Sequence, residues 1–355
     1  MDNADASRRY DPSQALAFAT TLFEATGLDP EKAASTASIL LEADLMGHVT
    51  HGLALIPWYM SSIDAGTMRM SGEPTVISDR GACIAWNGQR LPGTWLLSRA
   101  LETAFERVGT YGTVTVSIAE SHHIGALVAY LTRATERGLF VLLASSSPSA
   151  AGVAPYGGRR GVFTPNPIAA GIPTGGEPIL IDISASITTL NLSRQMVDAG
   201  RRFPHPWALE ADGTPTNDPA AVVERGGTLL PVGGLDHGHK GFGLALIVEA
   251  LTQGLGGFGR LDQPKGTTSS VFLQVIDPAA FAGRDAFEAQ TGWLVDACHD
   301  TPPMPGVERV RLPGERGLAV RRESMSKGVA LSDAIIAGLA PVAQRFGLTL
   351  PGPIA

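Results

Sequence analysis

Apolar residues recur along the chain in two rhythms, and the rhythm changes near residue 75. Over 12–26, Leu16, Ala19 and Phe23 share one helical face and Gly27 follows as a stop. The stretch DPEKAASTASILLEADLMG (29–47) sets Asp29 as N-cap, Pro30 at the first helical position and Gly47 as the terminal glycine, which predicts a second helix. His48 to Gly52 is then a loop or a fresh helix start. Beyond Thr75, ACIAW and TVTVSIAE (113–120) predict strands. Between them TWLLSRALETAFERVG carries Leu97, Ala100, Leu101, Ala104 and Val108 at helical spacing. SHHIG leads into a helix over about 125–137, Gly138 stops it, and LFVLLASS is a buried strand, giving a strand–helix–strand unit. EPILIDIS (177–184) and SSVFLQVID (269–277) predict further strands, the latter alternating Val271, Leu273 and Val275. HKGFGLALIVEALTQGLGG (239–257) reads as a glycine-started, largely buried helix. LSDAIIAGLAPVAQRFGL closes as a helix with Ser332 as N-cap and a Leu331/Ile336 staple. The expected organisation is a helical part over 1–74, an αβ domain over 75–317, and a C-terminal helical part over 318–355 that packs back on the first.

Composition narrows the class. A chain of 355 residues exceeds what one hydrophobic core ordinarily supports, so two packed units are expected. An apolar share of 44%, a charged share of 17%, 42 Gly and 25 Pro describe a globular, loop-rich protein. The net charge of −7, with no run of Lys or Arg, weighs against nucleic-acid or anionic-membrane partners and favours a small-molecule ligand. The N-terminal MDNADASRRYDPSQ lacks an apolar signal core and the longest apolar runs are strand-sized, so a soluble, cytoplasmic protein is expected. Cys83 and Cys298 are too few for a disulfide framework or a CxxC site. His205, His237 and His239 lack HxxxH or HExxH spacing, so no metal is expected.

Three glycine- or histidine-bearing stretches carry candidate chemistry. GLGGFG (254–259) has the letters of a dinucleotide fingerprint, but it follows a helix instead of a strand and reads as a helix-ending turn. In HGHKGFG (237–243), Gly241 and Gly243 either admit a ligand close to the backbone or let a helix pack closely, while Lys240 offers a cation to phosphate. SHHIG (121–125) sets histidines at the C-terminal end of a strand, where ligand sites of αβ sheets collect. His51, in THG, is like them next to glycine and near a hydroxyl. Each can exchange a proton near neutral pH or serve as a cap.

Taken in order, ADLMGHVTHG, SHHIG, PYGGRRGVFTPNPIAAGIP, IDISAS, WALEADGTPTNDP, LLPVGGLDHGHKGFGLALIVEALTQGLGG and PGERG resemble the type-2 malate/L-lactate dehydrogenases. That family includes sulfolactate and ureidoglycolate dehydrogenases, diketogulonate reductase and cyclic imino-acid reductases. The resemblance implies an α/β, non-Rossmann NAD(P)-binding fold with a mixed sheet, flanking helices and a helical domain from both termini. It also implies a homodimer with NAD or NADP as cofactor. The cofactor contacts it implies are Asp182, Ile183, Ser184, Ala185 and Ser186 of the DISAS segment, His239 and Lys240, and Gly314, Glu315 and Arg316 of PGERG, with Ser147 and Asn166 besides. It makes His51 and His123 the acid/base candidates, with Thr50 replacing the family's serine, Tyr59 retained near the substrate and His48 structural.

One departure changes the expected substrate. Where the family carries an arginine for the substrate carboxylate, this chain has Leu55. Leucine cannot replace a bidentate guanidinium contact. Either Arg160, Arg69 or Arg202 supplies the charge from elsewhere, or the substrate's carboxylate side is modified, or activity is lost. The leading expectation is an NAD(P)-dependent oxidoreductase of a small 2-oxo/2-hydroxy acid or a derivative with a modified carboxylate side. A cyclic imine reductase and a non-catalytic nucleotide-binding homologue are the alternatives.

Overall fold

The computed structural model describes residues 7–354. The chain opens with β1 (Ser7–Tyr10), α1 (Pro12–Ala25), α2 (Pro30–Leu45) and α3 (Ile56–Asp64). There follow β2 (Thr75–Asp79), β3 (Cys83–Asn87), α4 (Gly93–Tyr111), β4 (Thr113–Ser121), α5 (Val128–Thr135), β5 (Phe140–Ser146), β6 (Pro167–Ile172) and β7 (Ile179–Ser184). A smaller lobe contains α6 (Leu190–Asp198), β8 (Ala208–Leu209), β9 (Pro215–Thr216), α7 (Ala220–Val223) and β10 (Thr228–Leu229). Last come α8 (Gly234–Glu249), β11 (Ser269–Ile276), α9 (Arg284–His299), α10 (Glu315–Lys327), β12 (Val329–Ser332) and α11 (Asp333–Arg345).

The main sheet runs β2-β3-β4-β11-β5-β6-β7. Only β3 and β4, joined across α4, pair in parallel here, and the other neighbours are antiparallel. Strand alternation sends Val271, Leu273 and Val275 to one face, into a core shared with Trp95, Leu97 and Leu101 of α4 and Leu131 of α5. Phe272 points to the other face, where Val248 of α8 and Ala144 cover it. β4, α5 and β5 form the expected strand–helix–strand unit, although β4 and β5 are not neighbours in the sheet. β11 enters between them, with Leu273 opposite both Val116 and Leu143. A strand arriving so late in the chain leaves no trace in the local pattern around SHHIG.

The two ends of the chain meet. Tyr10 of β1 pairs with Val329 of β12 in an antiparallel ladder, and Leu22, Phe23, Leu40, Leu53, Ile56 and Tyr59 share a core with Leu331 and Leu339. Ser332 caps α11 by accepting the Ile335 N–H at 3.3 Å, as its position predicts. Asp29 precedes α2 but does not cap a backbone N–H; its carboxylate instead pairs with Lys32 at 2.8 Å.

The helix read over 239–257 also differs from expectation. α8 starts earlier, is kinked at His237, and leaves Leu246 and Ile247 49% and 55% exposed. It runs into a π-turn at Ala250–Gly254, so GLGGFG does end a helix. α9, with Thr291 as its one buried position, gave no strong apolar stripe to read.

Candidate active site

The first wall of the site is the turn after α2. Asp44, on the last turn of α2, turns its carboxyl inward, accepts the Leu53 N–H at 2.7 Å and is 3% exposed. Gly52 lies directly over it, so close that a Cβ there would fall 2.1 Å from an Asp44 oxygen. This contact explains the glycine of THG on packing grounds. The backbone between these anchors makes the short 3₁₀ turn Val49–His51, on which Thr50 Oγ1 stands 2.8 Å from His51 Nδ1.

The second wall is the loop after β4. His122 N–H donates to Leu91 O at 3.1 Å, and Gly93 approaches so closely that a Cβ would meet His122 O at 2.2 Å. Tyr130 OH donates to Ile124 O at 2.6 Å, fixing the far side of the loop. α5 begins where Asp182 of β7 accepts the Val128 N–H at 2.9 Å. That carboxyl's acidity is weakened by burial, against the opposing pull of the Val128 N–H and of His48.

These walls bring His51 and His123 face to face, with ring centroids 6.0 Å apart and planes inclined by 25°. Trp58 stands edge-on to His123 at 5.1 Å, and Tyr59 places its hydroxyl 2.9 Å from His123 Nδ1. Burial, and next the neighbouring His48, push the His51 pKa down. Burial, then His51 and His122, push that of His123 well down. Both rings are therefore neutral near pH 7, poised to accept a proton or to donate one hydrogen bond. His122 is 0% exposed, neither ring nitrogen has a partner, and burial lowers its pKa to about 3. It is packed between Trp58 and Tyr59, at 5.7 and 5.5 Å, as a neutral aromatic wedge.

The substrate-facing candidates divide. Tyr59 is fully buried and its hydroxyl is engaged by His123. Leu55 packs against the core formed by the chain ends. Of the arginines considered in its place, Arg69 is bonded to Gln89 and Arg202 to Asn217 at 3.2 Å. Arg160 lines a cavity of about 710 Å³ together with Arg159 and Arg194, and none of the site histidines lines it.

The expected cofactor residues lie along β7 and beside it. Gly241 has no room for a side chain, since its Cβ would meet Val232 N at 2.4 Å and Ala185 O at 2.7 Å. Close packing is thus its role, and it draws α8 onto the DISAS segment. Open space surrounds Gly243. Lys240 and His239 are exposed at this junction, and Lys240 has no ion-pair partner among the described residues. The hydroxyls of Ser184 and Ser186 are spent on Ser186 O and Thr188 O, at 2.8 and 2.6 Å. Ala185 is buried and Ile183 is exposed. Gly314, at φ +98°, presses on Leu180 at the other end of β7, roughly 13 Å from Ser184 at a strand rise of about 3.3 Å per residue. Glu315 is engaged by His299, by Arg309 at 3.0 Å and by the Leu312 N–H, whereas Arg316 is exposed. Asn166 is fully buried and bonded to Thr164, Ala245 and Glu249, which makes it a structural residue here. Ser147 is half-buried, its N–H donating to Thr164 Oγ1.

Sequence reasoning missed Asp44 and Trp58. Asp44 did carry a signal: with Ala37, Leu40 and Leu41 it falls on the buried face of α2, where an acid needs an explanation.

Residues 10–340 match the family described as malate/L-lactate dehydrogenase. The chain is 32% identical over 348 residues to an L-lactate dehydrogenase of Cupriavidus necator, covering 96% of this chain and 98% of that one. It is 33% identical to a (2R)-3-sulfolactate dehydrogenase (NADP(+)) of Chromohalobacter salexigens, covering 93% and 96%. Among solved structures it superposes on the delta1-piperideine-2-carboxylate reductase of Pseudomonas syringae pvar. tomato with a TM-score of 0.83 at 30% identity, over 95% of this chain and all of that one. The chain is an oxidoreductase and belongs to the malate/L-lactate dehydrogenase family.

Proposed function

We propose that this enzyme transfers a hydride between a nicotinamide dinucleotide and a small 2-oxo/2-hydroxy acid, or a derivative whose carboxylate side is modified. The observation that carries the reading is the stacked pair His51 and His123, 6.0 Å apart, with the apolar Leu55 four residues after His51 in the chain. When bound, the nicotinamide supplies or accepts the hydride. His51 moves the matching proton, to the substrate heteroatom in reduction and from it in oxidation. The exposed cations Lys240 and Arg316 suit a dinucleotide's phosphates, and Lys240 sits where close packing at Gly241 brings α8 against the DISAS segment. Leu55 favours a substrate with no free charge on that side, because an unpaired carboxylate against an apolar group is costly. The exposed Leu246, Ile247 and Leu255 near the end of α8 favour a homodimer.

A second reading has direct support. One relative, 33% identical over 326 residues, is a Delta(1)-pyrroline-2-carboxylate/Delta(1)-piperideine-2-carboxylate reductase, so a cyclic imine could take the place of the carbonyl. Titration with NADH and NADPH, followed by absorbance at the nicotinamide band against oxo-acid, oxo-amide and cyclic-imine panels, separates these readings. His51→Ala is expected to lower turnover by about 10²–10⁴-fold with cofactor affinity nearly intact. Full turnover in that variant would remove His51 from the reaction, and no nucleotide binding by the wild-type protein would overturn the assignment itself.

A further inference from the structure

We infer that Tyr59 and the Gly125 N–H lock His123 as its Nε2–H tautomer, so that His123 gives the substrate a fixed hydrogen bond while His51 alone exchanges the proton. The inference rests on the oxidoreductase reading above and divides the labour between its two histidines.

The geometry around His123 Nδ1 decides the tautomer. The Tyr59 hydroxyl lies 2.9 Å from Nδ1 and 3.3 Å from His123 O, and can donate its single proton to either. The hydroxyl alone leaves two arrangements open. In one, Nδ1 accepts from Tyr59; in the other, Nδ1–H donates to Tyr59, which passes its own proton to the carbonyl. Gly125 distinguishes them. Its N–H donates to Nδ1 at 3.3 Å and has no other partner among the described residues. Gly125 itself is buried. A hydrogen on Nδ1 would set two N–H groups against each other and orphan a buried donor, at a cost of about 1–3 kcal/mol. Nδ1 must therefore hold a lone pair, and the neutral ring carries its hydrogen on Nε2. Gly125 reaches this position because its φ is +73°, which turns the backbone back towards the ring it follows.

The consequence is chemical. Nε2 has no hydrogen-bond partner among the described residues, and the half-buried ring stands against His51. Of the titratable groups around it, His51, His122 and Tyr59 face the ring, and none is a carboxylate. A neutral Nε2–H can stabilise negative charge developing on a substrate oxygen or nitrogen, as a preorganised donor. It cannot release its proton without forming imidazolate. The proton balancing hydride transfer must then come from protonated His51 in reduction and return to neutral His51 in oxidation. Tyr59 is a positioning residue on this account, and its buried hydroxyl acts through His123.

The free protein tests the lock without any turnover. Imidazole nitrogen shifts of His123, measured by long-range proton–nitrogen correlation near neutral pH, are expected to show one tautomer with hydrogen on Nε2. A hydrogen on Nδ1, or averaged shifts, would overturn the inference whatever the substrate proves to be. Kinetics test the division of labour. His123→Gln retains an N–H donor that does not ionise, so it is expected to keep a substantial part of the turnover lost in His123→Ala, with an unchanged pH profile of kcat. Tyr59→Phe leaves the Gly125 N–H to hold the tautomer and is expected to lower kcat by about five- to tenfold, the worth of one hydrogen bond to the ring, with KM little changed. If His123→Gln is as inactive as His123→Ala, or moves the pH profile, His123 exchanges the proton and the inference fails. If His51→Ala is fully active, His51 does not exchange the proton and the division of labour fails; if the wild-type protein binds no nucleotide, the reaction assignment fails while the tautomer measurement stands.

Discussion

Asp44 makes the stability of this enzyme depend on pH in a calculable direction. Its carboxyl is buried under Gly52, with one oxygen on the Leu53 N–H and the other unpartnered, and burial pushes its pKa up to about 8. An unfolded aspartate titrates near 3.9. Between those values the folded protein holds a proton that the unfolded chain releases, so stability falls as pH rises. It is fully present below about pH 4, is lost progressively up to about pH 8, and levels off once both states are ionised. About four pKa units at 1.36 kcal/mol each correspond to a loss on the order of 5 kcal/mol, a large part of the 5–15 kcal/mol typical of a folded domain. Asp44→Asn preserves the acceptor for the Leu53 N–H and removes the titration. Denaturant unfolding of both proteins at fixed concentration, from about pH 4 to 9, reads the difference directly. The variant is expected to be the more stable above about pH 6, with the gap widening by at most 1.4 kcal/mol per pH unit and closing towards pH 4. Parallel curves would refute the reasoning and show that the Asp44 carboxyl ionises normally in the folded state.

Two further outcomes bear on the same walls. Leu55→Arg should improve kcat/KM for substrates with a free carboxylate by about ten- to a hundredfold relative to their amides, the worth of one charged hydrogen bond; an unchanged ratio would place position 55 away from the substrate. Gly52→Ala should cost about 1–3 kcal/mol in denaturant unfolding and reduce turnover, because its Cβ would fall 2.1 Å from Asp44; a variant of normal stability and activity would show that the turn can yield.

Much of the fold was legible because periodicity reports burial. Val271, Leu273 and Val275 read as one strand face and are that face. The glycine stops after α1 and α2, Pro30 at the start of α2 and the Ser332 cap of α11 are local backbone chemistry, visible in a few letters. What could not be read is what distant segments impose on each other. β11 slips between β4 and β5, and nothing in either strand announces a partner so far along the chain. The site divides along the same line. His51 and His123 could be named from their motifs, but their stacking is a product of two loops meeting. The glycines of HGHKGFG read equally well as ligand approach or as packing, and only the position of Val232 and Ala185 settles Gly241 as packing. Asn166 looked available and is consumed by Thr164, Ala245 and Glu249.

The pairing of β1 with β12 ties the reactive centre to the order in which the protein is made. The turn bearing His51 leans on Leu53, Ile56 and Tyr59, and these share their core with Val329, Leu331 and Leu339. On a ribosome, the first of these segments emerges long before the last, and it waits with an exposed apolar face until the rest arrives. The bracing of the His51 turn is thus completed only after residues 329–345 have been translated. A product lacking 329–345 would bring out the motifs of a dehydrogenase without the brace that arranges them, so catalytic competence in this protein waits on the arrival of that segment.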